Sequence, residues 1–164
     1  MARRSQSRAR EMALQALYQA DLVGDECLDS IEGTLRSDGH PAEVVDYAFD
    51  LARGVRMRVP EIDALLAAAA QHWSVARMAV LDRNILRIGI EELLHHPEVP
   101  ARVVINEAIE LAKRFSTASS GAFVNGVIDR VRRDLERQGR IVPTGAADPA
   151  GGAVPAGGAR PGGE

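Results

Sequence analysis

Arginine is the residue type in this chain best suited to chemistry at a phosphate. Arg3, Arg4, Arg8 and Arg10 all precede the first acidic residue, Glu11. Guanidinium groups bind phosphates through paired N–H donors and stack on bases. A second set, Arg130, Arg132, Arg133, Arg137 and Arg140, is interleaved with Asp129, Asp134 and Glu136. The formal net charge of −3 hides both sets, because charges beyond about 10 Å are largely screened at moderate salt. Single-stranded RNA is read by aromatics that stack and amides that hydrogen-bond. Gln15 and Tyr18 follow the first arginines, with Tyr18 two turns beyond Arg10 and near the same side of a helix, and Phe123 and Asn125 open a later helix. Core packing accounts for Tyr18 as well as RNA contact does, and for Phe123 better.

Signs of catalysis are absent. The one lysine, Lys113, follows Leu111 and Ala112 inside a helical pattern, which excludes a Walker-type phosphate loop. Cys27 has no local nucleophile signature, and a single cysteine excludes an intrachain disulfide. His95 and His96 are adjacent, so on a helix they point about 100° apart and cannot share a metal as an i, i+4 pair would. His40 and His72 are isolated. No catalytic residue, cofactor or metal site is expected.

The elements that must position these residues are helices. The first starts near Ser5 or Ser7, either of which can cap it, with Ala13, Leu14, Leu17 and Ala20 buried. Cations at a helix N-terminus oppose its dipole at a cost of a few tenths of a kcal/mol each, so four arginines there favour something other than local stability. Further helices are predicted over 28–35, over 42–59 with Pro60 as its stop, and over 61–70. Ser74 caps a short turn and Asp82 caps a helix running to 95. Pro100 opens the next helix, where Ile105, Ala108, Ile109, Ala112 and Phe115 form the apolar stripe opposite Asn106, Glu107, Lys113 and Arg114. A last helix starts at Ser119 or Ser120 and contains Asn125-Gly126. An interior glycine costs about 1 kcal/mol relative to alanine, and close packing of Gly126 against another helix is the expected reason. No segment alternates with period two, and aromatics are only 4% of the chain, so the fold class is all-α with an aliphatic core.

Four stretches carry a family resemblance: Arg8-Ala9-Arg10-Glu11 with Ala13 to Tyr18; Asp82 to Ile88 with Glu92 and Leu93; Val99 to Phe115; and Phe123 to Asp129. In this order over roughly residues 3–138 they resemble the NusB family of bacterial transcription antitermination factors. The resemblance implies a bundle of about seven helices in two small helical subdomains. It also implies binding to boxA-type RNA of nascent ribosomal RNA leaders together with the small ribosomal protein NusE, within the RNA polymerase antitermination complex. The RNA-binding residues expected are Arg3, Arg4, Arg8, Arg10, Gln15, Tyr18, Lys113, Arg114, Phe123 and Asn125. NusE is expected on the polar face of the helix from Asp82, at Arg83, Arg87, Glu91 and Glu92. Some family members pair as homodimers, and oligomeric state is left open.

Two departures from the family pattern lower the expected RNA affinity. Gln6 and Ser7 stand where members often carry cations, and Ala122 replaces a cation before Phe123. The alternative function is an RNA-targeting or protein-interaction module related to the NusB-like N-terminal domain of an rRNA cytosine methyltransferase. Residues 1–140 are taken as the helical domain. In 141–164, seventeen of twenty-four residues are Gly, Ala or Pro, which predicts a disordered tail. No apolar run reaches the roughly 20 residues of a membrane span, and the expected location is cytoplasmic.

Overall fold

Proline or glycine marks several, but not all, of the breaks between helices. The computed structural model describes residues 1–143, so most of the tail expected over 141–164 lies outside the described residues. Among them the order is α1 (Arg3–Val23), α2 (Cys27–Ser37), α3 (Ala42–Met57), α4 (Val59–Ala69), a 3-10 turn (Val75–Arg77), α5 (Val80–His95), α6 (Ala101–Phe115) and α7 (Ser120–Arg137). There is no strand among the described residues, and the all-α expectation holds. None of these helices is long and apolar enough to cross a membrane.

Capping is where the structure departs most from the sequence pattern. Helix α1 begins at Arg3 with no side-chain cap. Ser7 lies inside it, its hydroxyl donating to the Arg3 carbonyl at 3.2 Å and to Glu107 Oε2 at 2.8 Å. Gly24, at φ 97°, ends α1 by donating its N–H to the Ala20 carbonyl, a left-handed position that glycine takes at little steric cost. Pro60 does not stop α3; it sits in the first turn of α4, where a missing N–H costs nothing. Pro41 and Pro100 precede α3 and α6 as their N-caps. Asp82 is not a cap either, because α5 starts at Val80. It is buried and accepts hydroxyl hydrogen bonds from Ser116 and Ser120 at 2.6 and 3.0 Å.

Helix α5 is the axis of the molecule. It packs against α1, α3, α4, α6 and α7, so it joins the group α1–α3 to α4, α6 and α7. Ile85, Leu86, Ile88 and Ile90 are fully buried, and the polar residues among and beside them, Asn84, Arg87, Glu91 and Glu92, are buried too. The glycine that allows close packing is Gly89 of α5, where an added Cβ would lie 3.0 Å from Ile128 Cδ1 of α7. Gly126, by contrast, has nothing within 4 Å of its would-be Cβ, so the close-packing explanation for it is wrong. On α6 the buried stripe runs through Val104, Glu107, Ala108, Leu111 and Ala112. The expected Ile105, Ile109 and Phe115 are half-buried at its edge.

Candidate nucleic-acid interface

Spacing along α1 decides which arginines face outward. Arg4, Arg8, Gln15 and Tyr18 are separated by four, seven and three residues, which keeps them on one side of a helix. All four are exposed, and Tyr18 shows 41% of its surface. Arg3, at the open end of the helix, is exposed and lies 3.9 Å from Glu107 of α6.

Arg10 belongs to the other side, and here the expectation of an RNA contact fails. Its side chain is 1% exposed. Nε donates to Glu92 Oε2 at 2.9 Å and Nη2 to Glu92 Oε1 at 2.7 Å, a bidentate pair linking α1 to α5. Tyr47 of α3 donates its hydroxyl to Glu92 Oε1 at 2.6 Å, and Glu107 Oε2 lies 3.7 Å from Arg10 Nη1. Burial works against the Arg10 charge, but hydrogen bonding and attraction to Glu92 outweigh it and hold its pKa above the ordinary value. Burial and the Glu92 carboxylate push the Tyr47 phenol well above its usual range, so it stays a donor. Four helices meet at this hub, and a phosphate cannot reach Arg10.

Helix α6 supplies the second half of the basic edge. Arg114 is exposed and donates through Nη1 to Glu11 Oε1 of α1. Glu11 Oε2 accepts from Arg8 Nη1 at 3.0 Å. Glu107 reaches back from α6 to Ser7. Lys113 is exposed and pairs with Glu110 at 3.5 Å, and its aliphatic stem lies over Gly121 at the start of α7. Arg3, Arg4, Arg8, Lys113 and Arg114 therefore gather along α1 and α6, leading to the first turns of α7. There Asn125 is exposed beside the open Gly126. Phe123 is half-buried against the core and meets the 61% exposed Trp73 edge-on, with ring centroids 5.9 Å apart.

The arginines of α7 are paired along their own helix. Arg130 and Arg137 pair with Asp134, Arg133 with Asp129, and Arg132 with Asp129 and Glu136. Arg140 pairs with Glu61 of α4.

The expected docking face on α5 is also corrected. Arg87 makes a two-point bond to Asp63 of α4 at 2.8 and 2.7 Å. Arg83 lies 3.7 Å from Asp21 of α1, Glu92 receives Arg10, and Glu91 receives Arg58 at 2.5 Å. Burial lifts the Glu91 pKa above the usual carboxylate range, with Arg58 and His96 opposing it. Arg87, Glu91 and Glu92 are buried and Arg83 half-buried, so these charges are paired inside the helical bundle instead of facing a partner.

Sequence reasoning missed Trp73, Glu11 and Glu107. Trp73 lies in a loop without periodicity. Glu11 stands three residues after Arg8, the helical spacing that pairs opposite charges, and that signal was available. The helical pattern puts Glu107 on the polar face of α6, and its partners on α1 are about a hundred residues away.

What these observations define is an all-helical module with an arginine-rich edge shared by two helices, and no cluster of His, Cys, Asp or Glu among the described residues that could hold a metal. The family model for the NusB family matches residues 7–133. This chain belongs to the NusB family. It is 46% identical over 130 residues to the transcription antitermination protein NusB of Anaeromyxobacter dehalogenans strain 2CP-1, covering 79% of this chain and 91% of that protein. The namesake from Myxococcus xanthus strain DK1622 is 41% identical over 132 residues, covering 78% and 94%. Among solved structures, T. maritima NusB aligns with a TM-score of 0.70 at 35% identity, over 79% of this chain and 91% of that one. A crystal structure of antitermination factors NusB and NusE in complex with dsRNA aligns at 0.71 and 25% identity, over 81% and 99%.

Proposed function

We propose that this chain is a non-catalytic transcription antitermination factor that binds boxA-type RNA together with NusE in support of ribosomal RNA transcription. The observation that carries the reading is its likeness to one chain, covered to 99%, of a crystal structure of NusB and NusE in complex with dsRNA. The relatives named above are covered over about nine-tenths of their length, so the likeness is to whole antitermination proteins and not to one part of a longer methyltransferase.

The geometry supports a division of labour among the exposed residues. Arg3, Arg4, Arg8, Lys113 and Arg114 meet phosphates, and Arg10 acts only by holding α1 in place. Tyr18 offers an open ring for stacking, with Gln15 one turn away as a hydrogen-bonding amide. Asn125 reads the RNA where Gly126, having no side chain, lets a backbone approach α7 closely. Glu11, Glu107 and Glu110 offset much of this charge, so RNA affinity of the chain alone is modest and NusE completes the site. The test is titration of boxA-type RNA into the protein with and without NusE. The expected result is tighter RNA binding with NusE, and an equal tightening of NusE by RNA, as linkage requires. Equal RNA affinities in the two titrations reject the cooperative reading.

A further inference from the structure

Glu11 is a carboxylate in the middle of a surface that has to attract phosphates, and its side chain is only 9% exposed. Its two oxygens are divided between two helices. Oε2 accepts from Arg8 of its own helix at 3.0 Å, and Oε1 from Arg114 of α6. Each arginine spends one Nη1 donor on the carboxylate, and a guanidinium carries five N–H donors. Both side chains stay about half exposed, so their remaining donors face solvent. Arg114 is restrained a second time by lying over the Phe115 ring, 5.2 Å from its centroid. Glu107 ties α6 back to Ser7 of α1, so the two arginines stand on helices fixed to each other.

We propose that Glu11 is a positioning residue for RNA: its carboxylate draws Arg8 and Arg114 into one two-guanidinium clamp for the RNA backbone. The inference rests on the RNA-binding reading above. Two effects of the carboxylate compete. Its negative charge repels phosphate, but two cations in direct contact neutralise it, and the phosphates approach from their outer side, where solvent screens what remains. Against that, each free arginine loses rotamer freedom when it binds, and a side chain already held in place loses less. Positioning wins, and the trio presents a net single positive charge in fixed geometry.

The experiment measures anisotropy of a labelled boxA-type RNA with NusE present, for the full chain and for Glu11→Gln, Arg114→Gln and the double variant. Helical circular dichroism and melting confirm that each is folded. Glu11→Gln adds one positive charge, yet it should weaken binding about two- to tenfold, the range expected for freeing side chains that were held in place. In the Arg114→Gln background, where only Arg8 is left for the carboxylate to hold, the same change should have a clearly smaller effect. Equal or tighter binding by Glu11→Gln overturns the proposal and makes the carboxylate a competitor of RNA. The same loss in both backgrounds also overturns it, because a merely structural role would not depend on Arg114. If Glu11→Gln does not fold, Arg8→Gln and Arg114→Gln take its place. Their losses should be non-additive for a clamp that acts as a unit, and additive losses overturn it. A wild-type chain that binds no RNA overturns the functional reading and this inference with it, whereas wild-type binding with an unaffected Glu11→Gln overturns the inference alone.

Discussion

Gly126 shows how a single residue can trade stability for access. It stands inside α7 with open space where a side chain would be, so alanine fits there without a clash. Gly126→Ala should stabilise the protein by up to about 1 kcal/mol from helix propensity alone, seen as a higher melting midpoint. If RNA approaches α7 at this point, the added methyl should also weaken RNA binding. A variant that is more stable and binds RNA unchanged would remove Gly126 and its neighbour Asn125 from the interface. Glu91 makes a second residue-scale prediction, this one about pH. Burial raises its pKa in the fold, so its contribution is fully present below the unfolded carboxylate pKa and is lost as pH rises through the folded value. Glu91→Gln removes that loss. It should raise the melting midpoint near pH 8 relative to wild type and give no gain near pH 4. Melting curves at the two pH values check it.

At the scale of elements, periodicity made the helices legible but not the faces of α5. The pattern from 82 to 95 predicts an apolar stripe with a polar back, yet α5 is enclosed by five other helices. Its charged residues are buried because each finds a partner far away in sequence: Arg10 for Glu92, Asp63 for Arg87, Arg58 for Glu91. No local window contains those pairs. The same blindness put Arg10 among the phosphate contacts, although a spacing of eight residues from Tyr18 already turns it about 80° away on a helix. The hub predicts an asymmetry. Arg10→Ala leaves Glu92 charged, buried and short of its partner, and should cost about 3–5 kcal/mol. Replacing the group together, Arg10→Met with Glu92→Leu and Tyr47→Phe so that no hydroxyl is left without its acceptor, should cost far less, because hydrophobic residues of similar size often substitute for a buried ion pair without loss. Urea denaturation of the two variants tests this. Equal losses would mean that the hub acts through packing and not through charge.

At the scale of the whole molecule, the change in composition after residue 140 was legible, but where the helical domain ends was not. Two adjacent apolar residues, Ile141 and Val142, are too few to show a period, so Ile141 gave no signal of being structural. In the fold it packs against the core. Gly139, at φ 66°, turns the chain at the end of α7, and the next amide, Arg140 N–H, donates to the Leu135 carbonyl at 2.9 Å. The Arg140 guanidinium then crosses to Glu61 of α4. The domain therefore extends past 140, and two truncations should differ. Removing 144–164 deletes none of these contacts and should leave the melting midpoint and helical circular dichroism unchanged. Removing everything after Gly139 also strips the half-buried Ile141, worth about 1 kcal/mol by its apolar area, and a surface ion pair worth little on its own. For a domain of this size a loss of about 1 kcal/mol lowers the midpoint by roughly 2–4 °C. Equal melting of the two truncations would place the end of the domain at the end of α7, and a loss on removing 144–164 alone would show that this segment docks on the helical bundle.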